Sequence, residues 1–444
     1  MATQSEQRGL TPASIATENE ALLADRAFRI ARNAVTTTGI DTVAVDRSVL
    51  RSIDSSVSTK VDDWAVANQK KSGRCWIFAG MNMLRAAIMK ETKVKDFELS
   101  QTFVHFWDKW EKANYFLETM DKLRDREILD RTVAHLMQAP IEDGGQWNML
   151  VALIEKYGIV PQYAMPETAS SSDTRAMNRD LSTVLRRAAY ALRNEESEQA
   201  RTEVKRQALE DAYRILTIHL GTPPEEFTWQ YRNKDNEFTR SGTMTPASFR
   251  DQYVTVNLDE YVCVVNDPRH APKQMLTVEY LGNVVGAKPV TYLNAPVDVM
   301  KAAIQKTLNE GRSVWFGCDT TQQAERNSGV WDAHLLDYEG VYGVDLSMDK
   351  LARVLSGESL MTHAMVFTGV DETEDGTPRR WRVENSWGPD KAEKGFWTMN
   401  DSWFDEYVFA VAVHRDTLPE DYRAALGGEP IVLPVWDPMG ALAH

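Results

Sequence analysis

A cysteine at the start of a long apolar segment is the feature that most constrains the fold of this chain. Cys75 is followed by Trp76 and by residues 77–84, which are apolar on nearly every helical face. A helix without a polar face is buried on all sides, so the segment predicts the central helix of a domain. The partial positive charge at a helix N-terminus stabilises a thiolate, so we expect a lowered pKa for Cys75. Such a thiol is a nucleophile at neutral pH.

Two later segments supply polar partners for this nucleophile. His363 begins an apolar run that continues to Val370, and Asn385 follows a strand-like stretch at 381–384. The residues between them, 371–378, are rich in Asp, Glu, Gly and Thr and predict a turn. Two strands joined by this turn would bring His363 close to Asn385. The three stretches therefore predict a Cys-His-Asn site.

Composition and charge narrow the class of protein. The chain has 444 residues, of which 43% are hydrophobic and 26% are charged, as in ordinary globular proteins. At roughly 150 residues per domain, this length suggests about three domains or one large domain with insertions. The net charge of −15 argues against nucleic acid or an anionic membrane as a partner. Residues 1–8 lack a secretory pattern and no run is long enough to span a membrane, so we expect a cytoplasmic protein.

The three cysteines of the chain fit a reducing compartment. An odd number of cysteines in a long chain argues against a disulfide framework, and it gives no support for metal binding by cysteine pairs. Cys263 and Cys318 lie in strand-like apolar runs, where a free cysteine is most often a small buried hydrophobic residue. Cys75 is therefore the candidate reactive thiol, and we expect neither a metal nor an organic cofactor.

The character of the sequence changes along the chain. We expect an N-terminal segment with a helical half in residues 1–169, a charged inserted region in 170–295, a sheet-forming half in 296–426 and a C-terminal arm in 427–444. The arm contains three prolines and has no helical or alternating period. It is predicted to be extended rather than packed.

Four ordered motifs carry a family resemblance. The chain resembles papain-fold cysteine peptidases, and more narrowly the bleomycin hydrolase and aminopeptidase C family. The matching stretches are Gln69 with Ser-Gly-Arg-Cys-Trp at 72–76, Thr-His-Ala-Met at 362–365, Glu-Asn-Ser-Trp-Gly at 384–388 and Trp-Asp-Pro-Met-Gly-Ala-Leu at 436–442. The resemblance implies an α+β, papain-like cysteine peptidase fold. A helical half and an antiparallel β half would be joined by a large inserted helical or hook region and an extended C-terminal arm.

Each catalytic candidate has a role that its chemistry permits. Cys75 attacks a peptide carbonyl, and His363 gives a proton to the leaving amine. Asn385 orients the imidazole, as its counterpart does in related Cys-His-Asn enzymes. Gln69 supplies an oxyanion-hole donor together with the Cys75 backbone N–H, a contribution typically worth about 3 kcal/mol. Trp387 is expected to cover the His-Asn pair, to exclude water and to contribute to substrate binding.

The resemblance also implies substrate-binding residues. Gly144 and Gly145 are similar to the papain-like segment whose glycines pair with the substrate backbone, where the missing side chain permits close approach. In the family, the C-terminal arm lies in the cleft, and its terminal carboxylate restricts binding to substrates with a free N-terminus. Ala443 and His444 are the residues of this arm expected to meet substrate. His444 extends past the matching motif, so it is either trimmed by the enzyme itself or shortens the free part of the cleft.

The spacing of the motifs departs from that of simple papain-like enzymes. Roughly 290 residues separate Cys75 from His363, against about 130 to 150 in papain-type enzymes, so about half of the interval is inserted structure. In the family resembled, the insertions form a helical domain and a hook that assemble a homohexamer with its active sites inside a barrel.

The predicted function is that of a cytosolic cysteine aminopeptidase acting on peptides with a free N-terminus, with bleomycin-like amides as further candidate substrates. Two alternatives stay open. A broad cysteine endopeptidase or acyl transferase would also cleave N-blocked substrates. A catalytically idle, cage-like binding protein would cleave neither kind, although the intact Cys75, His363, Asn385 and Gln69 argue against it.

Overall fold

The structure is a computed structural model that describes residues 12–95 and 97–443. Its α-helices are α1 (Pro12–Ala24), α2 (Arg26–Thr38), α3 (Ile40–Ala44), α4 (Arg47–Ser52), α5 (Cys75–Thr92), α6 (Gln101–Lys122), α7 (Arg131–Gln138), α8 (Trp147–Tyr157), α9 (Ala169–Ser172), α10 (Arg175–Asn194), α11 (Glu198–Leu220), α12 (Pro246–Tyr253), α13 (Val297–Asn309), α14 (Tyr338–Tyr342), α15 (Lys350–Ser356), α16 (Asp401–Tyr407) and α17 (Glu420–Ala425). Its strands are β1 (Thr59–Lys60), β2 (Phe227–Arg232), β3 (Phe238–Met244), β4 (Tyr261–Val265), β5 (Met275–Val278), β6 (Tyr292–Asn294), β7 (Val314–Cys318), β8 (Ala324–Glu325), β9 (Val330–Trp331), β10 (His363–Glu372), β11 (Pro378–Glu384), β12 (Phe396–Asn400), β13 (Val408–His414) and β14 (Ile431–Leu433). Across the described residues, none of the helices has both the length and the apolarity of a membrane span.

One large sheet forms the core of the sheet half. Its strands follow the order β14-β5-β6-β4-β13-β7-β10-β11-β12-β9-β8, and β1 pairs with β10. Most neighbouring strands are antiparallel, whereas β4 with β6, β5 with β14 and β9 with β12 are parallel. β7, β10 and β13 lie in the middle and are buried almost throughout. This double-sided burial explains why their sequences are continuously apolar instead of alternating.

The buried helix predicted from the apolar run is α5. Every residue from Cys75 to Ala86 is buried, and the helix packs against β7 and β10 as well as against α6 and α8. Gly80 permits the close approach of α8, because a Cβ at this position would lie 1.9 Å from a methyl carbon of Leu150. The helix thus lies between the helical half and the sheet, with its N-terminus at their junction.

The hairpin predicted between His363 and Asn385 is formed by β10 and β11. His363 is the first residue of β10, and Asn385 directly follows the last residue of β11. β10 also pairs with β7, where His363 lies opposite Cys318. Cys318 and Cys263 are buried strand residues, as expected.

The inserted region contains both a separate helical unit and part of the main sheet. α10 and α11 pack on each other and on α6, and β2 with β3 forms an isolated hairpin. β4, β5 and β6, however, belong to the large sheet, although the sheet-forming half was expected to span 296–426. The difference arises because β4 pairs with β13, a partner that lies far away in sequence.

The C-terminal arm is packed, which corrects the expectation of an extended segment without packing. β14 pairs in parallel with β5, and residues Pro438–Ala443 form a 3-10 helix. Arg269 anchors the arm by donating to both carboxylate oxygens of Asp437, at 3.0 and 2.7 Å. These contacts join residues far apart in sequence, which local periodicity does not reveal.

Candidate active site

Cys75 is the first residue of α5 and is 4% exposed. The turn before it requires a glycine at Gly73, because a Cβ there would lie 2.8 Å from the Cβ of Asp143. Arg74 is fully buried and donates to both oxygens of Glu167, at 2.9 and 2.7 Å. The Cys75 backbone N–H, at the start of a helix, has no intrahelical acceptor and is available to a substrate oxygen.

A hydrogen bond joins His363 to Asn385 where β10 begins and β11 ends. His363 Nε2 lies 2.9 Å from Asn385 Oδ1, and the backbone N–H of Ser386 donates to the same oxygen at 2.8 Å. Because a backbone N–H only donates, the shared atom is an oxygen, and the imidazole carries its proton on Nε2. Nδ1 is then the ring nitrogen that can accept a proton from a nucleophile.

The sulfur of Cys75 lies against the strand that carries His363. Helix α5 packs along β10, which begins at His363. Burial raises the pKa of Cys75 to about 11, although the Ala364 N–H acts in the opposite direction. Burial also lowers the pKa of His363 to about 4, against the effect of its hydrogen bond to Asn385.

The prediction of a lowered pKa for the Cys75 thiol is therefore wrong, because burial raises this pKa. Desolvation disfavours a lone charge, and at this depth it outweighs the helix N-terminus. Transfer of the proton from the sulfur to His363 creates two opposite charges together, which avoids much of the penalty of a single buried charge.

Trp387 lies over the His-Asn pair. Its ring centroid is 5.1 Å from that of His363, with the two planes inclined by 34°. Trp397 meets Trp387 edge to face at a centroid distance of 5.3 Å. Rings in these positions keep water from the bond between His363 and Asn385, and a bond in such a low-dielectric environment is stronger.

Gln69 is held by the residue that follows Asn385. Its backbone N–H donates to the carbonyl of Ser386 at 2.9 Å, and the Ser386 hydroxyl donates to Gln69 Oε1. Gln69 Nε2 donates to the carbonyl of Ser72 at 2.6 Å. Because an amide NH₂ group has two donor hydrogens, one remains for an oxyanion. Ser386 lies in the motif at 384–388, but its role in holding Gln69 was not predicted from the sequence. Its position next to Asn385 was a usable signal.

The Gly144–Gly145 segment carries the C-terminal arm. The Gly145 N–H donates to the carbonyl of Leu442 at 3.0 Å. A Cβ on Gly144 would lie 2.2 Å from that oxygen and 3.0 Å from the Ala443 Cα, while a Cβ on Gly145 would lie 2.5 Å from the ring of Trp76. The structure therefore brings Ala443 to the predicted glycines. His444, the other predicted arm residue, lies outside the described residues.

Further contacts hold the arm in this position. The Tyr292 hydroxyl donates to the carbonyl of Met439 at 3.1 Å, and Gln146 Nε2 approaches the same oxygen at 3.4 Å. Sequence reasoning missed these residues, and no local signal marks them. In the described ranges, no three His, Cys, Asp or Glu side chains cluster in the way that metal ligands do.

A match to a family model identifies the chain. Residues 9–440 match the family described as the Peptidase C1-like family. The chain belongs to that family. The match includes Cys75, His363, Asn385 and the inserted region, so it confirms the family predicted from the four motifs.

Similar proteins extend over nearly the full length of the chain. Human bleomycin hydrolase is 41% identical over 98% of this chain and 99% of its own length. Aminopeptidase C of Lactobacillus helveticus is 41% identical over 94% of each protein. The crystal structure of PepW from Lactobacillus rhamnosis HN001 is 41% identical, with a TM-score of 0.95 over 98% of this chain and 99% of that one. The predicted α+β, papain-like fold is confirmed, and the predicted class of enzyme agrees with the names of these relatives.

Proposed function

We propose that the protein is a cysteine aminopeptidase that removes N-terminal residues from peptides. The observation that carries this proposal is the position of the arm, whose Leu442 carbonyl accepts from the Gly145 N–H. An extended peptide bound there would need the same N–H. A substrate therefore cannot continue far upstream of the bond that Cys75 attacks, and its first residue must lie close to the thiol.

The chemistry follows from the four polar groups of the site. As the Cys75 sulfur bonds to the substrate carbonyl carbon, the thiol proton passes to Nδ1 of His363. The charge that develops on the carbonyl oxygen meets the Cys75 backbone N–H and the second amide hydrogen of Gln69. His363 then gives its proton to the leaving amine, the C–N bond breaks and a thioester remains. Water, losing a proton to His363, hydrolyses the thioester and restores the thiol.

Asn385 keeps this proton shuttle in the correct tautomer. Its Oδ1 accepts from His363 Nε2 at 2.9 Å, so Nδ1 is the nitrogen that exchanges the proton with Cys75. Because the arm occupies the Gly145 N–H, an N-blocked peptide has less room upstream of the attacked bond than a peptide with a free N-terminus.

The remaining aspects of the proposal concern substrate range, location and assembly. We propose peptides with a free N-terminus as substrates and bleomycin-like amides as further candidates. We also propose a cytoplasmic location, which the three unpaired cysteines support.

For the assembly we propose a homohexamer, which the family resemblance supports. It is also supported by exposed apolar side chains that a second copy could cover, namely Tyr342, Val344, Leu346 and Leu355. Light scattering tests the assembly, and a monomer at micromolar concentration would contradict it.

The test of the activity compares two substrates that differ only at the N-terminus. We would measure release of a fluorescent amine from an amino-acid amide with a free amine and from its N-acetylated twin, with Cys75→Ala protein as the blank. Cleavage of the free form alone is expected. Cleavage of both forms would indicate an open endopeptidase cleft, and cleavage of neither would indicate an idle site.

A further inference from the structure

Asp143 is a buried carboxylate that the steps above do not use, although it binds groups from several parts of the chain. Its Oδ2 accepts from the backbone N–H of Gly73 at 3.0 Å and from the hydroxyl of Thr174. Its Oδ1 accepts from Asn178 Nδ2 at 2.8 Å and lies 2.7 Å from Lys109 Nζ. Both carboxylate oxygens are therefore fully engaged.

This carboxylate lies between the two backbone segments that form the cleft. Gly73 is two residues before Cys75, and Asp143 directly precedes Gly144. The backbone carbonyl of Asp143 also accepts from Trp76 Nε1 at 2.7 Å. Asp143 thus connects the turn that positions the Cys75 N–H with the glycines that contact the arm.

The charge of Asp143 is kept by its surroundings. Burial raises the pKa of Asp143, but the ammonium of Lys109, the neighbouring His105 and, to a smaller extent, the hydroxyl of Thr174 outweigh this effect and hold the pKa well below its ordinary value. Hydrogen bonds to an ionised acceptor are shorter and stronger than neutral ones. The bond to the Gly73 N–H is of this kind, so it resists displacement of the turn.

Two of the donors come from the inserted region. Thr174 is the residue before the first turn of α10, and Asn178 lies within α10. Both side chains reach Asp143 from the helical unit that packs on α6. The position of the carboxylate, and through it that of the turn before Cys75, therefore depends on how α10 is placed.

We propose that Asp143 is a positioning residue for the thiol chemistry and that Thr174 and Asn178 of the inserted region hold it in place. The inference rests on the proposed function. It gives the inserted helices a role in catalysis, whereas the resemblance links them only to assembly.

The experiment compares Thr174→Val, which removes the hydroxyl at constant shape, with Thr174→Ser, which keeps it. Thr174→Val is expected to lower kcat/KM for a free-amine amide about tenfold, the effect of one lost hydrogen bond to a charged group, and to act on kcat more than on KM. Thr174→Ser is expected to restore the wild-type value to within about twofold. Glu111→Gln is the matched control, since Glu111 is a buried carboxylate on α6 that accepts from Lys156 and Tyr157.

A second readout does not require turnover. The rate constant for alkylation of Cys75 by iodoacetamide is expected to fall about tenfold in Thr174→Val and to stay near wild type in Thr174→Ser and Glu111→Gln. If the wild-type protein releases no amine, the proposed function fails while this alkylation pattern still tests the positioning.

The inference would be overturned by two results. One is a Thr174→Val protein with wild-type turnover and alkylation, and the other is an equal loss in the Val and Ser variants. If Thr174→Val does not fold, Asn178→Ala is measured in its place, because it removes the neighbouring donor. Wild-type rates in that variant would overturn the inference as well.

Discussion

The helical half and the sheet half of the cleft hold their catalytic residues by different kinds of contact. On the helical side, the turn before Cys75 is fixed by buried charges. Arg74 bonds both oxygens of Glu167, and Asp143 lies 2.7 Å from the ammonium of Lys109. Each of these contacts is directional and depends on a few atoms.

On the sheet side, the residues around His363 are mainly aromatic. Trp387 lies over the imidazole and is backed by Trp397. Phe316 of β7 and Phe367 of β10 stack at a centroid distance of 3.9 Å in the strands that position His363. Packing of this kind is spread over many small contacts.

The two halves should therefore tolerate different substitutions. Removing one partner of a buried ion pair leaves a charge without compensation, so single substitutions on the helical side should be costly. Aromatic packing spreads its contribution over many contacts, so around His363 the sensitive element is the desolvated imidazole itself. The sheet side also holds one buried ion pair of the helical kind, that of Glu384 at the end of β11 with Arg85 of α5 at 2.7 Å.

The two halves must act as one site, so the loss of Cys75 should be the most damaging change. Cys75→Ala is expected to lower turnover about 10⁴-fold or more while leaving the fold intact. Amine release and thermal unfolding of the same preparation measure both properties. Turnover above about one hundredth of the wild-type rate would mean that another group performs the attack.

Breaking the charge pair on the helical side tests the first part of the contrast. Glu167→Gln leaves the fully buried Arg74 without its counter-ion and is expected to lower the free energy of unfolding by about 3 kcal/mol. Denaturant titration measures this loss. Glu203→Gln, which removes an exposed partner of Arg206, is the control and should leave the free energy of unfolding unchanged within the error of the titration. An equal loss of unfolding free energy in the two variants would contradict the claim that the buried Arg74–Glu167 pair stabilises the fold more than an exposed pair does.

Acid should act on the sheet side through His363. Its pKa is about 4 in the folded protein and about 6.5 in the unfolded chain, so the unfolded state binds more protons between these pH values. Stability should therefore fall as the pH drops from 6.5 to 4. The wild type should lose up to about 3 kcal/mol more than His363→Gln over this interval, as measured by denaturant titration at each pH. Parallel curves for the two proteins would refute the desolvated state of the imidazole.

The arm meets both halves, so a change beneath it should alter selectivity and leave the catalytic groups in place. Gly144→Ala puts a Cβ 2.2 Å from the Leu442 carbonyl and is expected to displace the arm. Cleavage of an N-acetylated amide should rise about tenfold relative to the free form, since even a modest shift in arm binding is worth that factor. Deletion of residues 441–444 should do the same.

The matched control for this change is Gly427→Ala. Gly427 lies at the start of the arm, and a Cβ there would meet nothing within 4 Å. The Gly427→Ala protein should keep the wild-type preference for substrates with a free N-terminus. A Gly144→Ala protein with the same preference would show that the arm does not restrict the cleft.

Features that depend on contiguous residues were predictable from the sequence. The burial of α5 follows from its apolar faces, and the hairpin that joins His363 to Asn385 follows from the turn between two strand-like runs. The cap of α6 at Ser100 follows from its side-chain oxygen, which accepts from the Phe103 N–H.

Features that depend on distant contacts were not predictable. The arm is anchored by Arg269 and Asp437, which are 168 positions apart, and β4 is completed by β13. The pKa of Cys75 is set by its depth in the structure as well as by its position on a helix, and depth is a collective property of the fold. No sequence motif marks Asp143 as a positioning residue. That role becomes visible only from its contacts in the folded chain.

The account rests on a thiol that accepts substrates with a single residue upstream of the attacked bond. An amino-acid chloromethyl ketone with a free amine and its N-acetylated twin test this directly, because each can alkylate the nucleophile with loss of chloride. The modified cysteine would be located by peptide mass spectrometry. We expect rapid modification of Cys75 by the free form, slow modification by the acetylated form and none at Cys263 or Cys318. Equal rates for the two reagents, or label on another cysteine, would contradict it.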